Sequence, residues 1–377
     1  MIQLIKIGID LRVLDSLNIT GLGRYALNLT QELIKFEEEE YYLIGNVHRS
    51  ELECAKKIKV PVELPYGDME FANKLLSLIG YVEDLDMIFS PFYPLPERRN
   101  FKGIVTIHDL IPLRLPDIFN NTSIYDFYDI YMRDCAKHVD HIITVSNSTK
   151  QDIMELYEIE EEKISVVYLS SHFKSCFSNE ADGTTQHHTL MKYGISQSYI
   201  LSICTLEPRK NLNRLLKAYE IIRTNLKEEL HLVFVGGLGM RSEELIREIE
   251  KSQFKDSIIM TGYVPDEDLP ILYSNAEVFV YPSLYEGFGL PVLEAMGYGV
   301  PVVTSNVSSL PEVGGEAALY CDPYDVESIA YTIEKVLLSP TLQKQLREKS
   351  LERSKLFSWE KTALQTRDVF LKCFNES

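Results

Sequence analysis

Positive charge is scarce in this chain of 377 residues. Its 38 lysines and arginines face 56 aspartates and glutamates, a formal net charge of −18. Nothing offsets the repulsion of a phosphate backbone, which excludes nucleic acid as a partner. A general pull toward anionic lipid is missing for the same reason. Six scattered cysteines contain no Cys-x-x-Cys, so neither a zinc ribbon nor a redox pair is indicated. They read as small apolar fillers in a reducing compartment. No window approaches the roughly 20 apolar residues needed to span a bilayer. The opening Met1-Ile2-Gln3-Leu4-Ile5-Lys6 lacks the shape of a signal peptide, and a cytoplasmic protein is expected. What the chain does have is core: 45% of its residues are apolar and 25% charged, in a length that suits two or three domains.

Short apolar runs alternate with amphipathic stretches, the pattern of a parallel sheet with helices on both faces. Strands are expected near Ile5–Ile9, Tyr42–Ile44, Met87–Ser90, Gly103–Ile107, His141–Val145 and Ile164–Val167. A second series is expected at Tyr199–Thr205, His231–Val235, Ile258–Thr261, Glu277–Tyr281 and Pro301–Thr304. Between them the chain turns polar and loses its period. The expected boundaries are a first domain over 1–170, a linker over 171–195, a second domain over 196–355 and a final helix over 356–377. The run Glu37-Glu38-Glu39-Glu40 reads as a helix end or a solvated face.

Ligands of open α/β sheets bind beyond the carboxyl ends of the strands, so the loops that follow strands matter most. The most informative is Glu286-Gly287-Phe288-Gly289-Leu290-Pro291-Val292-Leu293-Glu294, after the run Val278-Phe279-Val280-Tyr281. Pro291 suits the start of a helix. Glu286 then lies in the loop and Glu294 one turn into the helix. Gly287 and Gly289 allow close approach of a ligand to backbone amides at the positive helix end. Such a loop can hold hydroxyls and phosphates together, although a solvated turn carries the same residue types. Arg209 and Lys210 follow another strand and a proline turn, a natural place to clamp a diphosphate. Gly21 and Gly23 precede a helical stretch, Gly237 lies in a third glycine-rich strand end, and His108 stands where Ile104–Ile107 opens. Each also has an ordinary structural reading. Asp84 and Asp86, Asp266 and Asp268, and the pair His138 and His141 only superficially match metal clamps. Asp266-Glu267-Asp268 reads better as the acidic first turn of a helix.

Together these motifs resemble glycosyltransferase family 4, retaining enzymes that use nucleotide sugars. The resemblance is carried by Leu206-Glu207-Pro208-Arg209-Lys210-Asn211-Leu212, by Pro282 to Pro291, by Glu294-Ala295-Met296 and by Ser308-Ser309-Leu310-Pro311-Glu312-Val313. Gly8-Ile9-Asp10, Thr20-Gly21-Leu22-Gly23-Arg24-Tyr25 and Val105-Thr106-Ile107-His108-Asp109 are similar to the subgroup that builds bacterial surface polysaccharides, mannosyl- and rhamnosyl-type transferases among them. The resemblance implies the GT-B architecture: α/β, with two Rossmann-like doubly wound domains facing a central cleft, and a final helix that crosses back to the first domain. It departs from the family pattern at Gly297, at Gly314-Gly315-Glu316, and at Tyr168-Leu169-Ser170-Ser171, where a glycine-containing turn is usual.

The resemblance also implies roles. Arg209 and Lys210 would hold the donor diphosphate and stabilise the leaving group, and Glu294 would bind the ribose hydroxyls. Glu286 and the amides of Phe288, Gly289 and Leu290 would hold the sugar and distal phosphate. Gly21 and Gly23 would let their loop reach the diphosphate, with Gly237 also at the donor. His108 would contact the transferred sugar, and the backbone at Tyr263 and Val264 the base. The implied substrates are GDP-mannose or another nucleotide hexose and a glycan or lipid-linked glycan acceptor. No cofactor and no metal are expected, and the reading leaves room for peripheral contact at the inner membrane face. An epimerase of the same fold, a phosphorylase and a non-catalytic partner subunit are the alternatives. A phosphorylase would need a pyridoxal-phosphate lysine motif, which no stretch supplies, and Arg209, Lys210 and Glu286 argue against an inactive subunit.

Overall fold

Buried apolar runs become the strands of two all-parallel sheets. The computed structural model describes residues 4–14, 21–45, 52, 56–58, 69–120, 122–171, 183–226 and 229–376. Thr20, Cys54, Cys176 and the stretch 172–182 of the expected linker lie outside the described residues. In chain order the first seven strands are β1 (Ile5–Asp10), β2 (Glu39–Ile44), β3 (Lys56–Ile58), β4 (Met87–Ser90), β5 (Lys102–Ile107), β6 (His141–Thr144) and β7 (Ile164–Val166). They pair in the order β3-β2-β1-β4-β5-β6-β7. The second sheet takes β8 (Tyr199–Ile203), β9 (His231–Val235), β10 (Ile258–Gly262), β11 (Val278–Tyr281), β12 (Val302–Ser305) and β13 (Ala318–Cys321) in the order β10-β9-β8-β11-β12-β13. Each order reverses beside its first strand, between β1 and β4 and between β8 and β11. Such reversals open the crevice where doubly wound sheets bind ligands. These are two Rossmann-like domains.

The chain divides into two compact units, Met1–His172 with Phe357–Ser377, and Phe173–Leu356. Each has its own core under its sheet. Ile88, Val105, Ile142, Ile153 and Tyr157 anchor the first, and Leu215, Tyr219, Leu232, Phe234 and Ile333 the second. The four described cysteines, Cys135, Cys204, Cys321 and Cys373, are free, and burial pushes the thiols of the first three up to about 12.

Three local expectations change. The glutamate run does not end a helix. Glu39 opens β2 and is buried, because Arg367 donates to it at 2.8 Å. Within 171–195, Gly183–Lys192 is a helix packed against the helix Leu269–Ser274. Asp268 precedes that second helix rather than lying in its first turn, and accepts from Lys192 at 2.7 Å and from the Tyr193 hydroxyl at 2.5 Å. That ion pair and the buried Thr189 are what a polar, aperiodic stretch concealed.

The helix Trp359–Asn375 buries Thr362, Ala363, Thr366, Val369, Phe370 and Cys373, a single stripe at helical spacing. Within the first unit it packs along the helix Gly21–Leu33, and Phe370 meets Phe89 of β4 with ring centroids 5.2 Å apart. The Thr362 hydroxyl donates to the Tyr168 carbonyl at 2.8 Å, and Ser170 to that of Phe357 at 3.2 Å. The unusual segment Tyr168–Ser171 is thus where the start of this helix is tied in.

Candidate functional site

The loops after β8 and β11 flank the reversal of the second sheet and carry the densest charge cluster there. Pro208 starts a single 3-10 turn over Pro208–Lys210, and Asn211 follows with a left-handed φ of 62°. That turn delivers both cations to the same carboxylate. Lys210 Nζ donates to Glu286 Oε1 at 2.7 Å, and Arg209 pairs with Glu286 Oε2 at 2.8 Å. Lys210 also donates to the Tyr281 hydroxyl at 2.7 Å, and Arg209 to Glu207 at 2.7 Å and the Tyr285 carbonyl at 3.0 Å. Lys210 and Glu286 are each only 7% exposed. Burial opposes the charge on Glu286, but Arg209, Lys210 and the hydroxyl of Ser283 outweigh it and hold the carboxyl at about 2. The two cations are therefore fixed in place before any ligand arrives. Both oxygens of Glu286 are turned to them, an engagement that its expected sugar-end role did not include.

Buried serines and Asn211 organise the loops. Ser283 donates to Glu286 at 2.5 Å, and Ser305 to the Ser283 carbonyl at 2.7 Å. Ser309 donates to the carbonyls of both Glu286 and Phe288, at 2.9 and 2.8 Å. The Glu286 amide donates to Ser308 at 3.1 Å. Asn211 bridges the carbonyls of Pro282 and Pro323 at 3.0 and 2.7 Å. The hydroxyls of Ser305, Ser308 and Ser309 satisfy backbone groups that the irregular loop leaves without a ladder partner, while that of Ser283 is turned to the Glu286 carboxylate. A serine in a loop usually signals a turn, so composition alone concealed these roles.

Gly289 caps the helix Leu290–Gly297 with φ 105°, a conformation L side chains rarely adopt, and a Cβ there would also meet Leu310 at 2.8 Å. The first amides of a helix have no intrahelical acceptor, so Leu290 presents one beside the buried Phe288. Glu294, one turn on, accepts from the Tyr273 hydroxyl at 3.1 Å. Gly237 is exposed at the end of β9, where its carbonyl accepts from Leu206 at 2.9 Å. Gly236, φ 138°, is the more constrained of the pair, since a Cβ would lie 2.0 Å from the Cys204 carbonyl oxygen. Val264 is buried after β10, next to Tyr263, which is 76% exposed.

The remaining predicted residues belong to the first unit. Gly21 and Gly23 are not in a loop but open the helix Gly21–Leu33, and neither has positive φ. A Cβ at Gly21 would meet nothing within 4 Å. His108 follows β5, and its Nε2 donates to the Pro91 carbonyl at 2.8 Å. A carbonyl only accepts, which puts the proton on Nε2 and leaves the lone pair on Nδ1. The Tyr25 ring stands edge-on to the imidazole, 4.6 Å between centroids at 88°. Burial pushes His108 down to about 4, with the Pro91 bond opposing in part, so the ring is neutral at physiological pH.

Residues considered as metal ligands have other work. Asp86 accepts from the Lys6 amide at 2.8 Å and Asp84 pairs with the Lys6 side chain at 3.5 Å. His138 ends a helix and bonds the Leu95 carbonyl at 3.1 Å, whereas His141 begins β6 and bonds Ser165 at 2.8 Å. Among the described residues no three His, Cys, Asp or Glu side chains gather as a metal cluster, and no helix is long and apolar enough to cross a membrane.

Comparison with known proteins gives the same outline. The profile described as Glycosyl transferases group 1 matches residues 192–353, and that described as Glycosyltransferase Family 4 matches residues 19–169. O-antigen chain mannosyltransferase B of Escherichia coli is 31% identical over 93% of this chain and 96% of its own length. The serotype-specific mannosyltransferase WbdA of Escherichia coli is 32% identical over 74% of this chain and 34% of its own length. Among solved structures, sucrose-phosphate synthase from Thermosynechococcus elongatus superposes with a TM-score of 0.77 at 17% identity, over 99% of this chain and all of that one.

Proposed function

This chain belongs to glycosyltransferase family 4, and from that premise we propose that it transfers a hexose, with retention, from a nucleotide sugar to a glycan or lipid-linked glycan in the synthesis of a bacterial surface polysaccharide. GDP-mannose is the donor of first choice, because the two relatives named above are mannosyltransferases. The observation that carries the reading is the pair Arg209 and Lys210, held by Glu286 at the reversal of the second sheet.

In the proposed reaction the bond between the anomeric carbon and the phosphate oxygen breaks, and the bond to the acceptor oxygen forms on the same face. The acceptor proton passes to the departing phosphate oxygen, so no protein nucleophile is needed. Negative charge grows on the diphosphate as the sugar becomes oxocarbenium-like. Arg209 and Lys210 stabilise that charge from fixed positions, where little reorganisation is required. Glu294 takes the ribose hydroxyls, and the amides of Phe288, Gly289 and Leu290 take the distal phosphate. Nδ1 of the neutral His108 accepts a hydrogen bond from a hydroxyl of the transferred sugar. Peripheral contact of the enzyme with the inner membrane face belongs to the same proposal, since it would bring a lipid-linked acceptor within reach.

The test is release of nucleoside diphosphate when the purified chain is mixed with a panel of nucleotide hexoses and mannose-terminated acceptors, with the product's anomeric configuration read by NMR. Transfer from GDP-mannose with an α-linked product is expected. Absence of transfer from every nucleotide hexose in the panel overturns the reading, and an inverted product overturns its stereochemistry.

A further inference from the structure

The first sheet has its own reversal, between β1 and β4, and the loops at that end carry a row of aromatic rings. Phe92 and Tyr93 follow β4, with centroids 5.1 Å apart. Phe92 stacks on Phe127, 5.6 Å apart at 25°, and Tyr128 meets Phe127 edge-on at 5.4 Å. Phe127 and Tyr128 begin a π-helical stretch, Phe127–Met132. The Tyr157 hydroxyl donates to the Tyr128 carbonyl at 2.6 Å and Arg133 to that of Asp129 at 3.1 Å, which steadies the wider turn. Turns of this kind recur at functional sites. All four rings are half-buried. Phe127 and Tyr128 pack inward on the first core, and Ile124 and Tyr131, 48% and 49% exposed, extend the outer face of the same helix.

The charge beside this row is already committed. Arg12 donates to both oxygens of the buried Asp10, at 2.7 and 2.6 Å, and its guanidinium lies 5.1 Å over the Tyr93 ring. Paired one to one with Asp10, Arg12 brings no net charge to the row, and a neutral sugar needs none, because the C–H bonds on one face of a pyranose are weakly positive and match the negative face of an aromatic ring. The row is also joined to the sugar-handling machinery, since His108 donates to the carbonyl of Pro91, the residue before Phe92. We propose that Phe92 and Phe127, flanked by Tyr93 and Tyr128, stack the terminal pyranose of the acceptor glycan. The proposal rests on the glycosyltransferase reading and adds the part of the substrate that its charged cluster does not address.

Phe92→Leu and Phe127→Leu keep apolar bulk and remove the flat face. Each should raise the acceptor KM by roughly three- to tenfold, the scale of one aromatic contact, and leave the donor KM unchanged. Saturation-transfer NMR with an α-linked mannose disaccharide, without donor, provides a readout independent of turnover. Signal on the disaccharide should be present in the unchanged chain and weakened in both variants. If the chain transfers sugar normally and both variants keep its acceptor KM, the platform is wrong while the enzymatic reading stands. If no sugar is transferred at all, the enzymatic reading falls. NMR then judges the platform separately: an absent signal, or one equal in all three proteins, overturns it.

Discussion

Lys210 and Glu286, 76 positions apart in sequence, meet at 2.7 Å with almost no solvent contact. A buried charge that has lost its partner is costly, about 3–5 kcal/mol when a buried pair is broken. Near-silent replacements of Arg209 or Lys210 by alanine, a reasonable expectation for two surface cations, are therefore not expected here. Glu286→Gln should lower the melting temperature, because it leaves Arg209 and Lys210 facing a neutral amide. Saturating GDP should then raise the melting temperature more in the variant than in the unchanged chain, since the diphosphate supplies the missing negative charge. An equal or smaller ligand-induced shift would mean the diphosphate does not sit on these cations.

Glu294 occupies a different place, one turn into its helix and bonded to Tyr273. Glu294→Gln should weaken GDP and GDP-mannose alike, by roughly tenfold or more, the scale of one hydrogen bond to a charged group. Calorimetry with both ligands checks it. A loss confined to the sugar nucleotide would remove Glu294 from the ribose.

Stability should fall on the acid side in two windows. His108 and His141 are both held down to about 4, by burial in each case, with Lys372, Lys163 and Lys150 adding to the effect on His141. A histidine whose folded pKa lies below its unfolded 6.5 contributes stability that is complete above that value and lost as the pH falls from about 6.5 toward 4. Glu286 contributes above its unfolded 4.5, and that contribution is lost as the pH falls toward about 2. Melting curves from pH 7 to 5 should show the first loss, reduced in His108→Gln. Turnover should show no inflection from His108 near 6.5. A midpoint there that disappears in His108→Gln would show the imidazole titrating at its ordinary value.

Activity should survive excess EDTA, because the proposed stabilisation of the leaving diphosphate comes from Arg209 and Lys210. Full loss on chelation, restored by Mg²⁺ or Mn²⁺, would assign that task to a metal.

Much of the architecture was legible because parallel strands buried on both faces are continuous apolar runs. Met87–Ser90 and His231–Val235 have the bounds their composition suggests, and most others shift by a residue or two. The strands that escaped notice, β3 and β13, both lie at sheet edges. Lys56–Ile58 has three residues, two of them lysine, and Ala318–Cys321 is only partly buried. An edge strand needs less apolar content, so its signal is weak. Glu39 was misread because its partner Arg367 lies 328 positions away, and no local pattern encodes that. At the candidate site, charge and glycine marked Arg209, Lys210, Glu286 and Gly289. Ser283, Ser305 and Ser309 gave no such mark, since a hydroxyl that holds a loop carbonyl looks the same in sequence as one in water. Gly21 and Gly23 suggested a loop because glycine is uncommon in helices, yet both lie in the first turn of one.

The helix Trp359–Asn375 completes the first unit although it is synthesised only after the second. On the ribosome, the surface of the helix Gly21–Leu33 that it covers must wait until the whole second unit has emerged. The second unit, contiguous in sequence, has no such dependence. Folding order should therefore run against sequence order, with the later unit maturing while the earlier one lacks its final helix. A nascent chain stalled before Trp359 should give protease-resistant fragments of the second unit and little protection of the first.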